Sequence, residues 1–181
     1  GESNTLDSVT MNHGAMLPPS LPSQFAYTTG RHGAAFSMRS RNYVIVPAAP
    51  VLDVGRGAGL TVEAWVHPEN TRPQPFVEWN GGNGNRGVSL GFGYVISDPT
   101  LEADLVDTNG VSHLIRSPAG LISSGVWEHV AVTYDSASGQ AALYFNGVPV
   151  TQTNLGTFVP RTSGDLYFGY HPAGNYPDLA R

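Results

Sequence analysis

The sequence of 181 residues contains no cysteine and no lysine. Disulfides, thiol nucleophiles and thiolate metal sites are therefore excluded, and the redox compartment leaves no trace. Charge is scarce too: 13% of residues are Asp, Glu, Lys or Arg, about half the usual ~25%, and the net charge is −5. A polyanion finds no electrostatic foothold, which argues against nucleic acid as a partner. No apolar run approaches the ~20 residues that span a bilayer, and no basic-then-apolar signal opens the chain, so membrane insertion is not expected.

What is abundant is backbone punctuation. The 22 glycines and 14 prolines make up about a fifth of the chain, well above the usual ~12%, and disfavour long helices. From Ala34 onward, short runs rich in Val, Ile, Thr and aromatics recur between Gly, Pro and Asn clusters. That pattern predicts an all-β antiparallel sandwich with strands near 34–38, 43–47, 60–67, 75–79, 87–95, 101–106, 111–116, 127–135, 140–145, 148–154 and 165–170. Residues 1–33 read as loops around one short strand near Phe25–Tyr27, because Pro18, Pro19 and Pro22 interrupt them. The length suits one domain over 1–181.

Two segments are most informative. In Leu60–Val66 the residues Leu60, Val62, Ala64 and Val66 share one face, so that face is core and Thr61, Glu63 and Trp65 lie opposite. Trp127–Asp135 is apolar on both faces, which predicts a central strand covered on both sides. Asn146-Gly147, between two alternating runs, predicts a two-residue primed turn closing a hairpin.

The stretches Gly30–Phe36 with Tyr43–Pro47, Leu60–Pro68, and Trp127–Gly147 with Leu166–Gly169 resemble the laminin-G-like, concanavalin A-type jelly roll, the group that includes pentraxins. The resemblance implies a recognition or adhesion module of a secreted or cell-surface protein that binds carbohydrate or an extracellular protein. Such domains usually open and close with further strands. Neither is evident, so the chain reads as a piece of a longer one whose flanking domains are further partners, its terminal strands missing. The family's pentraxin-type calcium cluster is not expected, because Tyr170-His171-Pro172 stands in its place.

Candidate ligand-binding residues come from two loops. Asn83, Asn85 and Arg86 beside Trp79 offer hydrogen-bonding groups and an aromatic face, the two requirements of a shallow sugar site, and Tyr170, His171 and Tyr176 offer the same mixture. Asn4, Asp7 and Asn12 could supply hard oxygens to a structural Ca²⁺, or simply shape their loop as Asx turns. Glu102 and Asp104 point the same way from one strand and loosely resemble a glucanase acid pair, which is the alternative, enzymatic reading. Asp107, with Gly110 three residues on, reads as a turn. A purely architectural spacer is the third reading. The first, non-enzymatic reading is preferred because no nucleophile elbow, histidine pair or phosphate loop is present.

Overall fold

A computed structural model describes residues 4–9, 11–17, 27–38, 42–93 and 99–172. Their thirteen strands are β1 (Ala15–Leu17), β2 (Tyr27–Thr29), β3 (Ala34–Phe36), β4 (Tyr43–Val46), β5 (Gly59–Val66), β6 (Gln74–Asn80), β7 (Arg86–Phe92), β8 (Leu101–Leu105), β9 (Leu114–Arg116), β10 (Glu128–Asp135), β11 (Gln140–Phe145), β12 (Val148–Asn154) and β13 (Asp165–Phe168). The only helical pieces among the described residues are two 3-10 turns, Pro50–Leu52 and Val54–Arg56. A seven-stranded sheet runs β1-β4-β13-β6-β7-β8-β9, a four-stranded sheet runs β12-β11-β10-β5, and β2 and β3 form a hairpin. Every pairing is antiparallel, as the predicted all-β sandwich requires.

Strand alternation decides which side chains meet between the sheets. Val88, Leu101, Leu105, Val130, Val132 and Leu143 are completely buried there, joined by Val44, Leu60, Val62 and Val77. One sheet contributes Val130 and Leu143 and the other Val88 and Leu101, so the core is the layer enclosed by both. The Asn146-Gly147 turn has φ 50° at Asn146 and 79° at Gly147, both in the left-handed region a primed turn needs. It fixes Phe145 opposite Val148, and a bulge between Leu143 and Tyr144 then shifts the register by one, so that Ala142 comes opposite Gln152.

Two expectations need correction. Ala15–Leu17 is a strand, not loop: it pairs with β4, placing Ala15 opposite Ile45 and Leu17 opposite Tyr43. Three residues followed by Pro18-Pro19 are too short for periodicity to reveal. Strand β10 is central, and its Glu128, Val130, Val132 and Tyr134 face the other sheet. On the opposite side Ala131 is also buried, but His129 and Thr133 are half-buried, Thr133 borders an open hollow, and among the described residues no second sheet covers that face. Phe25 and Ala26, within the short strand expected there, lie outside the described residues.

Candidate functional site

The outer faces of the two sheets differ in chemistry. On the seven-stranded sheet, Tyr167, Glu78, Ser89, Asp104 and Leu114 stand directly opposite one another across five strands. Its carboxylates are engaged from within. Asp104 accepts from Arg86 Nη2 at 2.7 Å and Ser112 Oγ at 2.7 Å, and Glu102 accepts from Arg116 Nε at 2.5 Å. Glu78 accepts from Asn80 Nδ2 at 2.6 Å and meets His171 Nδ1 at 2.6 Å, with both partners of the latter pair buried. Tyr170 stacks on Tyr43 with ring centroids 4.1 Å apart. Burial, with Tyr170 adding to it, pushes the Tyr43 hydroxyl up; burial, then Asp165, does the same for Tyr167.

Several residues singled out in the sequence thus gather on this face: Arg86, Glu102, Asp104, Tyr170 and His171. Trp79 does not join them. It is 6% exposed and packs in the core with Val77 and Leu166, so it offers no ring to a ligand. Its position after Val77 on an alternating strand is the physical reason, since the two share the inward face. Asn83 and Asn85 are exposed in the turn after β6, but Asn85 Oδ1 accepts from Arg161 Nη1 at 2.6 Å, which ties the loop down. Tyr176 lies outside the described residues.

The amino-terminal loop behaves as a set of Asx turns. Asp7 Oδ1 accepts from the Val9 amide and Oδ2 from the Asn12 amide, while Asn4 Oδ1 accepts from the Leu6 amide. A dedicated Ca²⁺ site needs six to eight converging oxygens. Among the described residues no group of three or more His, Asp or Glu side chains converges to hold a metal.

The outer face of the four-stranded sheet holds a shallow hollow of about 720 Å³. Its floor is one row of mutually opposite residues, Thr61 on β5, Thr133 on β10, Ala142 on β11 and Gln152 on β12. Tyr144 forms one wall; Gln140 and Asp135 border the other side. No hydrogen bond within the described residues engages the side chains of Thr61, Thr133, Gln140, Tyr144 or Gln152. Asp135 is the one ionisable carboxylate at the rim, and its Oδ1 accepts from the Ala137 and Ser138 amides, which hold its carboxyl below the usual range. The hollow therefore presents uncharged donors and acceptors around an aromatic ring, with their hydrogen-bonding capacity unspent.

None of these residues was singled out beforehand except Thr61, as an outward position. Threonine, glutamine and alanine carry no distinctive chemistry in a sequence. The turn signal gives the hairpin register only as far as the bulge between Leu143 and Tyr144, and the alignment of Ala142 with Gln152 lies beyond it.

The family model described as the concanavalin A-like lectin/glucanases superfamily matches residues 39–179, and the chain belongs to that superfamily. None of the curated proteins matches the sequence. Domain 4 of AbnA, a GH43 extracellular arabinanase from Geobacillus stearothermophilus, solved with arabinotriose, is similar in structure: TM-score 0.63, 18% identity, 94% of this chain and 80% of that one. The binding domain of Paraclostridial Mosquitocidal Protein 1 gives TM-score 0.65 at 15% identity, covering 93% of this chain and 42% of that one. A SAP-like pentraxin from Limulus polyphemus gives TM-score 0.50 at 22% identity, covering 65% and 54%. At these identities the likeness establishes a shared sandwich.

Proposed function

We propose that this domain is a non-enzymatic carbohydrate-binding module of a secreted or cell-surface protein, taking an uncharged glycan in the hollow of the four-stranded sheet. One observation carries the reading: five polar side chains, Thr61, Thr133, Gln140, Tyr144 and Gln152, surround a 720 Å³ hollow without internal partners. Sugars offer alternating hydroxyls and C–H faces, which amides, hydroxyls and a tyrosine ring complement. The arabinanase domain, a relative in fold, was solved with arabinotriose, a ligand of that chemistry.

The enzymatic alternative is less well supported. A general acid must present its proton to a leaving oxygen, whereas Glu102 and Asp104 present their oxygens to Arg116 and Arg86. The test is binding to a panel of neutral and acidic polysaccharides by affinity electrophoresis. Retardation by a neutral polymer, lost at least tenfold in Tyr144→Ala with Tm unchanged, is the expected result. Cleavage of a polymer that disappears in Glu102→Gln would transfer the assignment to the other face.

A further inference from the structure

The shape of the hollow says how a glycan lies in it. Its floor residues Thr61, Thr133, Ala142 and Gln152 are register partners, so they form a line perpendicular to the strands, one side chain per strand. Four strands at about 4.8 Å spacing make that line about 14 Å long, the length of roughly three sugar rings laid end to end. The line crosses the whole sheet, since β5 and β12 are its outermost strands. Among the described residues no bulky side chain stands midway along it. Ala142 is only a methyl group and 7% exposed, whereas Tyr144 and Gln140 stand on either side of it along β11.

We infer that the hollow binds an internal stretch of an unbranched, uncharged oligosaccharide, about three units long, running across the strands from β12 to β5. This rests on the carbohydrate-binding reading above and adds to it the direction, length and mode of binding. A site for a single terminal sugar would need a wall to close it at one end. Among the described residues no strand pairs beyond β5 or β12, so each end of the line lies at a sheet edge, where the chain can continue in both directions. Three rings laid along the line find hydrogen-bonding groups at Gln152, Thr133 and Thr61, and Tyr144 stands beside the stretch that passes over Ala142.

Trp65, 43% exposed on the same sheet, lies outside the line. One residue of β5 separates each of Trp65, Glu63 and Thr61 from the next, and the Trp65 face is occupied by Arg31 at 5.4 Å, with His32 and His129 against the ring. It is the control.

The experiment is calorimetric titration of the intact chain with linear arabino-, xylo- and gluco-oligosaccharides of one to six units, including a set capped at the non-reducing end. In the series that binds, affinity should rise about fivefold per added unit up to the third and then level off. Capping should change it less than twofold. Ala142→Leu, which raises the floor, should weaken the hexamer at least tenfold, and Gln152→Ala provides the same check if the leucine variant does not fold. Trp65→Ala should leave it unchanged. A monosaccharide binding as tightly as the trimer, or loss of binding on capping, overturns this inference and leaves carbohydrate recognition standing. Binding of no series at all overturns both.

Discussion

Asp107 and Glu128 show how much one carboxylate can contribute to this sandwich. Asp107 Oδ1 accepts from the Asn109 and Val111 amides, and Oδ2 lies 3.4 Å from His113 Nε2. Burial pushes its carboxyl up, but those backbone N–H groups together with His113 outweigh burial and hold it below its ordinary value. The sign follows: Asp107 contributes stability above its unfolded pKa, and that contribution fades as pH falls through the lowered folded value. Asp107→Ala should cost about 2 kcal/mol at pH 7 in urea unfolding, from the lost charge-assisted hydrogen bonds. Glu128 is the opposite case. Its side chain faces the core side of β10, Oε1 accepts from the Ser123 amide at 2.8 Å, and Oε2 is buried with no partner. Burial raises its carboxyl above the ordinary value, only partly offset by Ser123. Wild-type stability should therefore fall as pH rises from about 4.3 through the raised folded pKa, and Glu128→Gln should remove that fall in a series of urea melts across pH. Asp107 was legible beforehand, because Asp followed three residues later by Gly is a turn signature; its closing bond runs from the Gly110 amide to the Asp107 carbonyl. Glu128 was not, since nothing in Trp127-Glu128-His129 tells which of two alternating faces the glutamate takes until the register with β5 is known.

At the scale of elements, legibility followed local signal strength. The hairpin of β11 and β12 was legible at its tip, where Asn146-Gly147 sets Phe145 opposite Val148, but not past the bulge between Leu143 and Tyr144; Asn146 Oδ1 also accepts from the His129 amide, fastening the turn to β10. Gly147→Ala would place a Cβ on a backbone at φ 79° with open space around it, so the penalty is conformational alone. We expect a loss of about 1 kcal/mol, measured as a lower urea midpoint with unchanged slope. β1 and the partner choice of β13 were not legible, because both depend on contacts distant in sequence: β13 sits between β4 and β6. The amino-terminal loop was legible only as a choice between turn and cation site. Its oxygens are spent on the Val9, Asn12 and Leu6 amides, so the melting temperature should be the same in calcium and in chelator. A rise in calcium of more than the scatter between melts would return the loop to the metal reading.

The whole molecule divides its chemistry between two outer faces, and the division sets how recognition should respond to salt. The ion pairs Arg86–Asp104 and Arg116–Glu102 collect on the seven-stranded sheet, where His171 Nδ1 also lies against Glu78. The candidate hollow sits on the other sheet, and the one carboxylate at its rim is held by backbone amides. Screening weakens interactions between exposed charges, with a Debye length falling from about 10 Å at 0.1 M to 3 Å at 1 M, but leaves neutral hydrogen bonds and ring contacts untouched. Binding of a neutral oligosaccharide should therefore change less than twofold between 0.05 and 0.5 M NaCl, at about constant pH. Arg86→Ala separates the faces further. Removing one partner of a half-buried pair leaves Asp104 with Ser112 alone, which should lower stability by about 1–3 kcal/mol. Glycan affinity, measured at a temperature where the variant is fully folded, should stay within twofold of wild type. A steep loss of affinity with salt, or in Arg86→Ala at full folding, would mean that the ligand is charged and sits on the seven-stranded sheet, near Arg86.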